Sequence, residues 1–170
     1  MNENASRPNT EELDDIDRKI LLLLQKNGRM TNAALAEAVG LTPTPMLQRI
    51  KKLEQKGVIK GYTAIVDATA LGRKVMAFVD VTLAKHDIAI HERFVEEVCK
   101  FEEVLECHHI AGEQDFLLKV VVRDIAEYES FLLKRITAIG GISRIKTTLV
   151  LSSPKMETVI GVDPERGEKR

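Results

Sequence analysis

The stretch Gly40-Leu41-Thr42-Pro43-Thr44-Pro45-Met46-Leu47-Gln48-Arg49-Ile50-Lys51-Lys52-Leu53 decides the architecture. Proline is tolerated only in the first turn of a helix, so a helix begins within Thr42 to Pro45. A residue before proline resists the helical region, which favours Thr44 over Thr42 as the cap. Met46, Leu47, Ile50 and Leu53 recur at helical spacing and form the inner face, and Gly57 ends the helix. The opposite face carries Gln48, Arg49, Lys52 and Lys56, with Pro45 at its start. From Thr42 to Gly61 the bases Arg49, Lys51, Lys52, Lys56 and Lys60 meet one acid, Glu54.

Working upstream, two helices precede this one. Asp14 or Asp15 caps the first, Ile16, Ile20, Leu23 and Leu24 share a stripe, and Asn27-Gly28 ends it. Thr31 or Asn32 caps the second, with Leu35 and Val39 inward. Ala36 is small where two helices must approach, Gly40 suits a left-handed C-terminal residue, and Leu41 and Met46 fill the space between. Three short helices with a tight turn before the third describe a helix-turn-helix. A one-sided basic face suits DNA, because neutralising phosphates releases counterions. Gln48 and Arg49 have the donor patterns for adenine and guanine edges in the major groove. Thr31, Asn32, Thr42 and Thr44 stand at helix N-termini, where hydroxyls and N–H groups suit phosphates. The plain alternative is a lysine-rich helix that only faces solvent. Turn spacing and one-sided charge together weigh against it.

Downstream, Val58 to Val66 reads as a strand or short hairpin, and Asp67 to Lys74 as a linker. From Val75 to Leu151 the pattern reads strand, helix, strand, strand, helix, strand. The strands are Val75 to Leu83, Val104 to Ile110, Asp115 to Val122 and Ile142 to Leu151. The first helix covers roughly Ile88 to Lys100, with Ile90, Phe94, Val95 and Val98 inward. The second starts at Asp124 with a capping box to Glu127 and a stripe of Ile125, Tyr128, Leu132, Ile136 and Ile139. This order is the ferredoxin-like split βαβ arrangement. The expected class is α+β, in five segments. They are a flexible N-terminus (1–12), a helix-turn-helix domain (13–66), a linker (67–74), a second domain (75–152) and a polar, frayed tail (153–170).

Composition bounds the function. The chain has 170 residues, 44% of them hydrophobic, which excludes a disordered polypeptide. Lys and Arg number 25 against 26 Asp and Glu, so a uniformly basic DNA-coating protein is excluded. Aromatic residues are 4%, which disfavours recognition by base stacking. No apolar run approaches a membrane span and no secretory signal opens the chain, so a cytoplasmic protein with no membrane partner is expected.

The motifs resemble those of the Lrp/AsnC (leucine-responsive, feast/famine) transcriptional regulators. The resemblance lies in Leu13-Asp14-x-x-Asp17-x-x-Ile20-Leu21 and in Gly40 to Pro45. It continues through Arg49-Ile50-Lys51-Lys52-Leu53-Glu54-x-x-Gly57-x-Ile59-x-Gly61-Tyr62. Gly112-Glu113-Gln114-Asp115-Phe116 looks like the family's Gly-x-x-Asp-(Tyr/Phe) effector loop. The match runs from about residue 13 to 152. It implies an N-terminal winged helix-turn-helix and a C-terminal ligand-sensing domain of the RAM/ACT-like kind. It also implies homodimers paired through their sheets, often built into octamers, on pseudo-palindromic operators in double-stranded DNA. The implied effector is an amino acid bound near the loop. Gly112 and Asp115 match the motif, Glu113 and Gln114 lie between them, and Thr147 and Thr148 follow from expected proximity alone. Gly112 lets a carboxylate approach main-chain N–H groups, and Asp115 offers an acceptor to an α-ammonium.

Two other readings rank lower. Cys107 and His109 share one strand face while His108 points away. Cys99 belongs to a helix expected to lie apart, so no metal site is expected, and no cofactor. An enzyme of the same architecture, like the haem-biosynthesis decarboxylases, is disfavoured by the intact basic helix, and so is a stand-alone amino-acid sensor.

Overall fold

A computed structural model describes residues 13–85 and 87–162. The expectations for residues 1–12 and 163–170 lie outside them. The chain divides into two units, residues 65–154 and a discontinuous one made of 13–64 with 155–162.

The first unit holds α1 (Asp15–Lys26), α2 (Asn32–Val39) and α3 (Pro43–Gln55). Asp14 caps α1, accepting from the Asp17 N–H at 2.7 Å, and Thr31 caps α2, accepting from Ala34 at 3.2 Å. Gly40 closes α2 at φ 75°, the left-handed conformation that glycine adopts without strain. Ile20, Leu35, Ala36, Met46, Ile50 and Leu53 are its buried core.

Three expectations are corrected here. The N-cap of α3 is Thr42, not Thr44. Pro43 and Pro45 both fall in the first turn, where a missing N–H loses no bond, so Thr44 is carried into the helix. Leu47 is 40% exposed and lies off the inner face. Residues 58–66 form no strand. Val58 and Ile59 donate to the Leu53 carbonyl at 3.0 and 3.1 Å, and the chain then runs on without a ladder. A lone strand cannot satisfy its backbone, and no second strand lies beside it among the described residues.

The second unit holds β1 (Val75–Leu83), α4 (Ile88–Val98), β2 (Val104–His109), β3 (Phe116–Val122), α5 (Ile125–Phe131) and β4 (Ile142–Leu149). The sheet is antiparallel in the order β2-β3-β1-β4. Strand alternation sends Ala77, Val79, Val81 and Leu83 of β1 into the core with Phe94 and Val98 of α4. The other face of the sheet carries Met76, Phe78, Asp80, Leu117, Lys119 and Val121, as the register places them.

The second helix departs from expectation. After α5 the chain widens into a π turn, Leu132–Ile136, and ends in a 3-10 turn, Thr137–Ile139. The residues buried in the core are Tyr128, Phe131, Ile136 and Ile139, with Leu132 partly buried against them, so Phe131 joins the expected stripe, and Ile125, 54% exposed, leaves it. The step of five from Phe131 to Ile136 exceeds an α turn, and the π turn brings both to one side. The tail is not wholly frayed. The Gln25 side chain on α1 donates to the Ile160 carbonyl at 3.1 Å and accepts from its N–H at 2.6 Å.

Candidate nucleic-acid interface and ligand cavities

The basic face of α3 is built as its sequence implies, with one exception. Thr42, Thr44, Gln48, Lys51, Lys52 and Lys60 are exposed, and so are Thr31 and Asn32 at the start of α2. Pro45 and Lys56 are half-buried. The Thr42 hydroxyl makes no capping bond, whereas that of Thr31 is engaged by its own helix. Arg49 is the exception. Its Nη1 lies 2.6 Å from Asp14 and 2.7 Å from Asp17, and its side chain is 30% exposed. Those hydrogen bonds raise the Arg49 pKa further. Burial alone would push the Asp14 carboxyl up, but hydrogen bonds from the Asp17 N–H and from Arg49 outweigh it and hold it below its usual range. Arg49 therefore ties α3 to the start of α1. Asp14 and Asp17 are residues that sequence reasoning missed as its partners. Their signal was an acid pair at i, i+3 opposite a helix rich in bases.

In the second unit the loop after β2 divides two cavities. Glu113 and Gln114 line one of about 160 Å³ with Asp80, Thr82, Arg144 and Lys146. Asp115 lines another of about 330 Å³ with Leu83, Lys85, Ile88, His91 and His109. Small-ligand pockets run from about 300 Å³ upward, so the second has the more suitable size. Asp115 is anchored there: Oδ2 accepts from the Leu83 N–H at 2.7 Å. A Cβ at Gly112 would meet nothing within 4 Å, so the space beside it is open.

Thr147 and Thr148 are not brought together. Thr147 faces the helices, its Oγ1 2.6 Å from the Tyr128 hydroxyl. Thr148 pairs with Phe78 on the other face.

His91 was missed on α4. It lies three residues before Phe94 and seven before Val98, which is the signal that would have found it. His109 packs on Phe116, whereas His108 turns the other way and bonds Glu106 at 3.1 Å. Cys99 lies closer than expected, within hydrogen-bonding reach of Cys107. Burial, with the neighbouring thiol, pushes the Cys107 pKa up to about 11. Among the described residues no group of three or more His, Cys, Asp and Glu is placed to hold a metal ion. No described helix is long and apolar enough to cross a membrane.

A basic helix in one unit and a ligand-sized cavity in the other are the arrangement of a one-component regulator, which grips DNA with one domain and binds a small molecule with the other. The known proteins agree. Residues 13–60 match the winged helix-turn-helix DNA-binding family and residues 76–160 the Lrp/AsnC ligand binding domain. The leucine-responsive regulatory protein of Escherichia coli K12 is 39% identical over 155 residues, covering 91% of this chain and 94% of that protein. An AsnC-family transcriptional regulator from Agrobacterium tumefaciens superposes with TM-score 0.82 at 39% identity, over 88% of this chain and 97% of that one. A transcriptional regulator of Neisseria meningitidis, solved in complex with L-methionine, gives 0.83 at 34% identity with the same coverage. The chain belongs to the Lrp/AsnC family of DNA-binding transcriptional regulators. These relatives are named as regulators, which sets the decarboxylase-like alternative aside.

Proposed function

We propose that the chain regulates transcription as a homodimer whose grip on an operator responds to an amino acid. The carrying observation is the exposed basic face of α3 in a unit that matches a DNA-binding family. Lys51, Lys52, Lys56 and Lys60 neutralise phosphates, and Thr31, Asn32, Thr42, Thr44 and Pro45 position the helix ends on the backbone. Gln48 reads a base edge in the major groove. Arg49 braces the fold, and its reach toward DNA depends on leaving Asp14 and Asp17.

The cavity beside Asp115 takes the effector, and Gly112 lies earlier in the same loop with open space beside it. The solved relative that holds L-methionine supports the class. Glu113, Gln114 and Thr148 lie toward the open sheet face, where a second subunit pairs. Two recognition helices in a dimer suit a pseudo-palindromic site with half-sites one or more turns of roughly 10 bp apart. Octamers of such dimers fit the same scheme, and the cytoplasm is where such a protein meets DNA. Effector binding shifts the balance between states that differ in operator affinity.

Fluorescence-anisotropy titration tests this reading, on the DNA upstream of the protein's own gene and on random duplex, with and without a mixed amino-acid pool. Preference for the upstream DNA, altered by the pool, is the expected result. No binding to either duplex at low salt overturns the regulator reading.

A further inference from the structure

Three rings pack at the wall of the cavity beside Asp115. His91 on α4 meets His109 at the end of β2 nearly edge-on, their centroids 4.7 Å apart. His91 also lies 4.7 Å from Phe116, and His109 lies 5.4 Å from it. Nε2 of His91 is closed off from solvent and has no hydrogen-bond partner among the described residues. A neutral imidazole carries one donor and one acceptor, and buried polar atoms are nearly always paired. Phenylalanine would fill the same space against Phe116 and leave nothing unpaired. A histidine at the wall of a ligand-sized cavity whose Nε2 is covered and unpaired is therefore a group waiting for a partner. His109 packs against it and is itself exposed, so its ring can turn aside. The remaining walls supply three further chemistries. Leu83 and Ile88 are apolar, Lys85 is a cation, and Asp87, Glu92 and Asp115 are carboxylates.

We propose that His91, gated by His109, selects the effector: an α-amino acid whose side chain carries a hydrogen-bonding group, in preference to an aliphatic one. This rests on the effector reading above and narrows it. Lys85 meets the α-carboxylate and Glu92 the α-ammonium, while Leu83 and Ile88 cover the side-chain methylenes. The ligand's amide, hydroxyl or ring N–H reaches Nε2 once His109 has moved. A site built to hydrogen-bond a ligand rejects the analogue that cannot, because its own polar atom is left unpaired. Moving His109 reduces the apparent affinity by the fraction of time the gate is open.

Calorimetric titration of the full chain tests this. The ligands are the twenty amino acids, with asparagine, glutamine, threonine, tyrosine, histidine and tryptophan compared against leucine, isoleucine, valine and methionine. The best polar ligand is expected to bind at least about tenfold tighter than leucine, a gap of about 1.4 kcal/mol. His91→Phe is expected to erase that gap and His91→Gln, which keeps a hydrogen-bonding group, to restore part of it. His109→Ala, an exposed change, is expected to keep the polar preference and tighten binding. An aliphatic amino acid as the tightest ligand of the wild type overturns the proposal. So does a ranking that His91→Phe leaves unchanged in a variant with wild-type circular dichroism and thermal unfolding. In both cases the effector reading stands. Absence of binding by every amino acid tested removes the effector reading and this proposal together.

Discussion

Arg49 shows how one side chain can look like a base reader and serve first as a brace. Its guanidinium joins two carboxylates at the start of α1, 35 and 32 residues earlier in the chain. The groups are partly exposed, so solvent screens them and each pair contributes about 1 kcal/mol or less. A double-mutant cycle of Arg49→Ala with Asp17→Ala, read by urea unfolding, is expected to return a coupling of about 0.5–1 kcal/mol. Additivity within error would show that the contact does not stabilise the unit. The pH dependence has a definite sign. Asp14 is held below its ordinary value, so its contribution is fully present above its unfolded pKa, about 3.9. It is lost as pH falls through the lower folded value. The stability difference between wild type and Asp14→Asn is therefore expected to be constant above about pH 5 and to shrink toward pH 3. A difference that grows on acidification would reverse the assignment. Cys107 makes a simpler case. With its pKa pushed up to about 11 it is a neutral thiol at pH 8, and the thiolate is what alkylates. Iodoacetamide is expected to label the exposed Cys99 well before Cys107 in the native protein, and both at similar rates in denaturant. Equal labelling without denaturant would show that Cys107 is open.

At the scale of elements, what was legible and what was not separate along a physical line. Helices α1 to α4 and all four strands announce themselves, because each has a periodic apolar face and a local stop or cap. The π turn after α5 does not. Phe131 and Leu132 both reach the core, Phe131 fully and Leu132 in part, and only packing against the sheet decides the share of each. Residues 58–66 mislead for the opposite reason: they have strand composition, but pairing needs a neighbour that composition does not supply. Ile136 lies fully buried just beyond the wide turn, so Ile136→Ala is expected to destabilise by about 2–4 kcal/mol in thermal or urea unfolding. Leu133, 64% exposed in the same turn, is expected to tolerate alanine within about 0.5 kcal/mol. Equal losses at both positions would show that Leu133 is packed inward and that the wide turn does not set the register here. The effector candidates divide in the same way. The Gly112 to Asp115 motif is local and could be read, whereas the cavity beside Asp115 is assembled from β1, α4, β2 and the loop before β3 and could not.

For the whole molecule, the open face of the sheet ties the two activities together. Phe78 and Leu117 stand half-buried there beside Met76 and Val121, with the Glu106–Lys119 ion pair at 2.8 Å among them. Apolar side chains on a broad, flat sheet face are the composition of a subunit interface rather than of a solvated surface. On the proposed homodimer reading subunits pair on this face, and an acid at its centre opposes that pairing twice over, once in each copy. Phe78→Glu is therefore expected to convert the assembly to monomers in analytical ultracentrifugation while each unit keeps its own fold, since the substituted side chain lies outside both cores. The consequence for DNA is quantitative. A dimer binds its second half-site as an intramolecular event, and the monomer loses that advantage, about a hundredfold or more in apparent affinity. The salt slope falls with it, because half as many lysines release counterions at one operator. Retained high affinity with an unchanged slope in a monomeric Phe78→Glu variant would show that a single recognition helix carries the binding and that the sheet face serves something else.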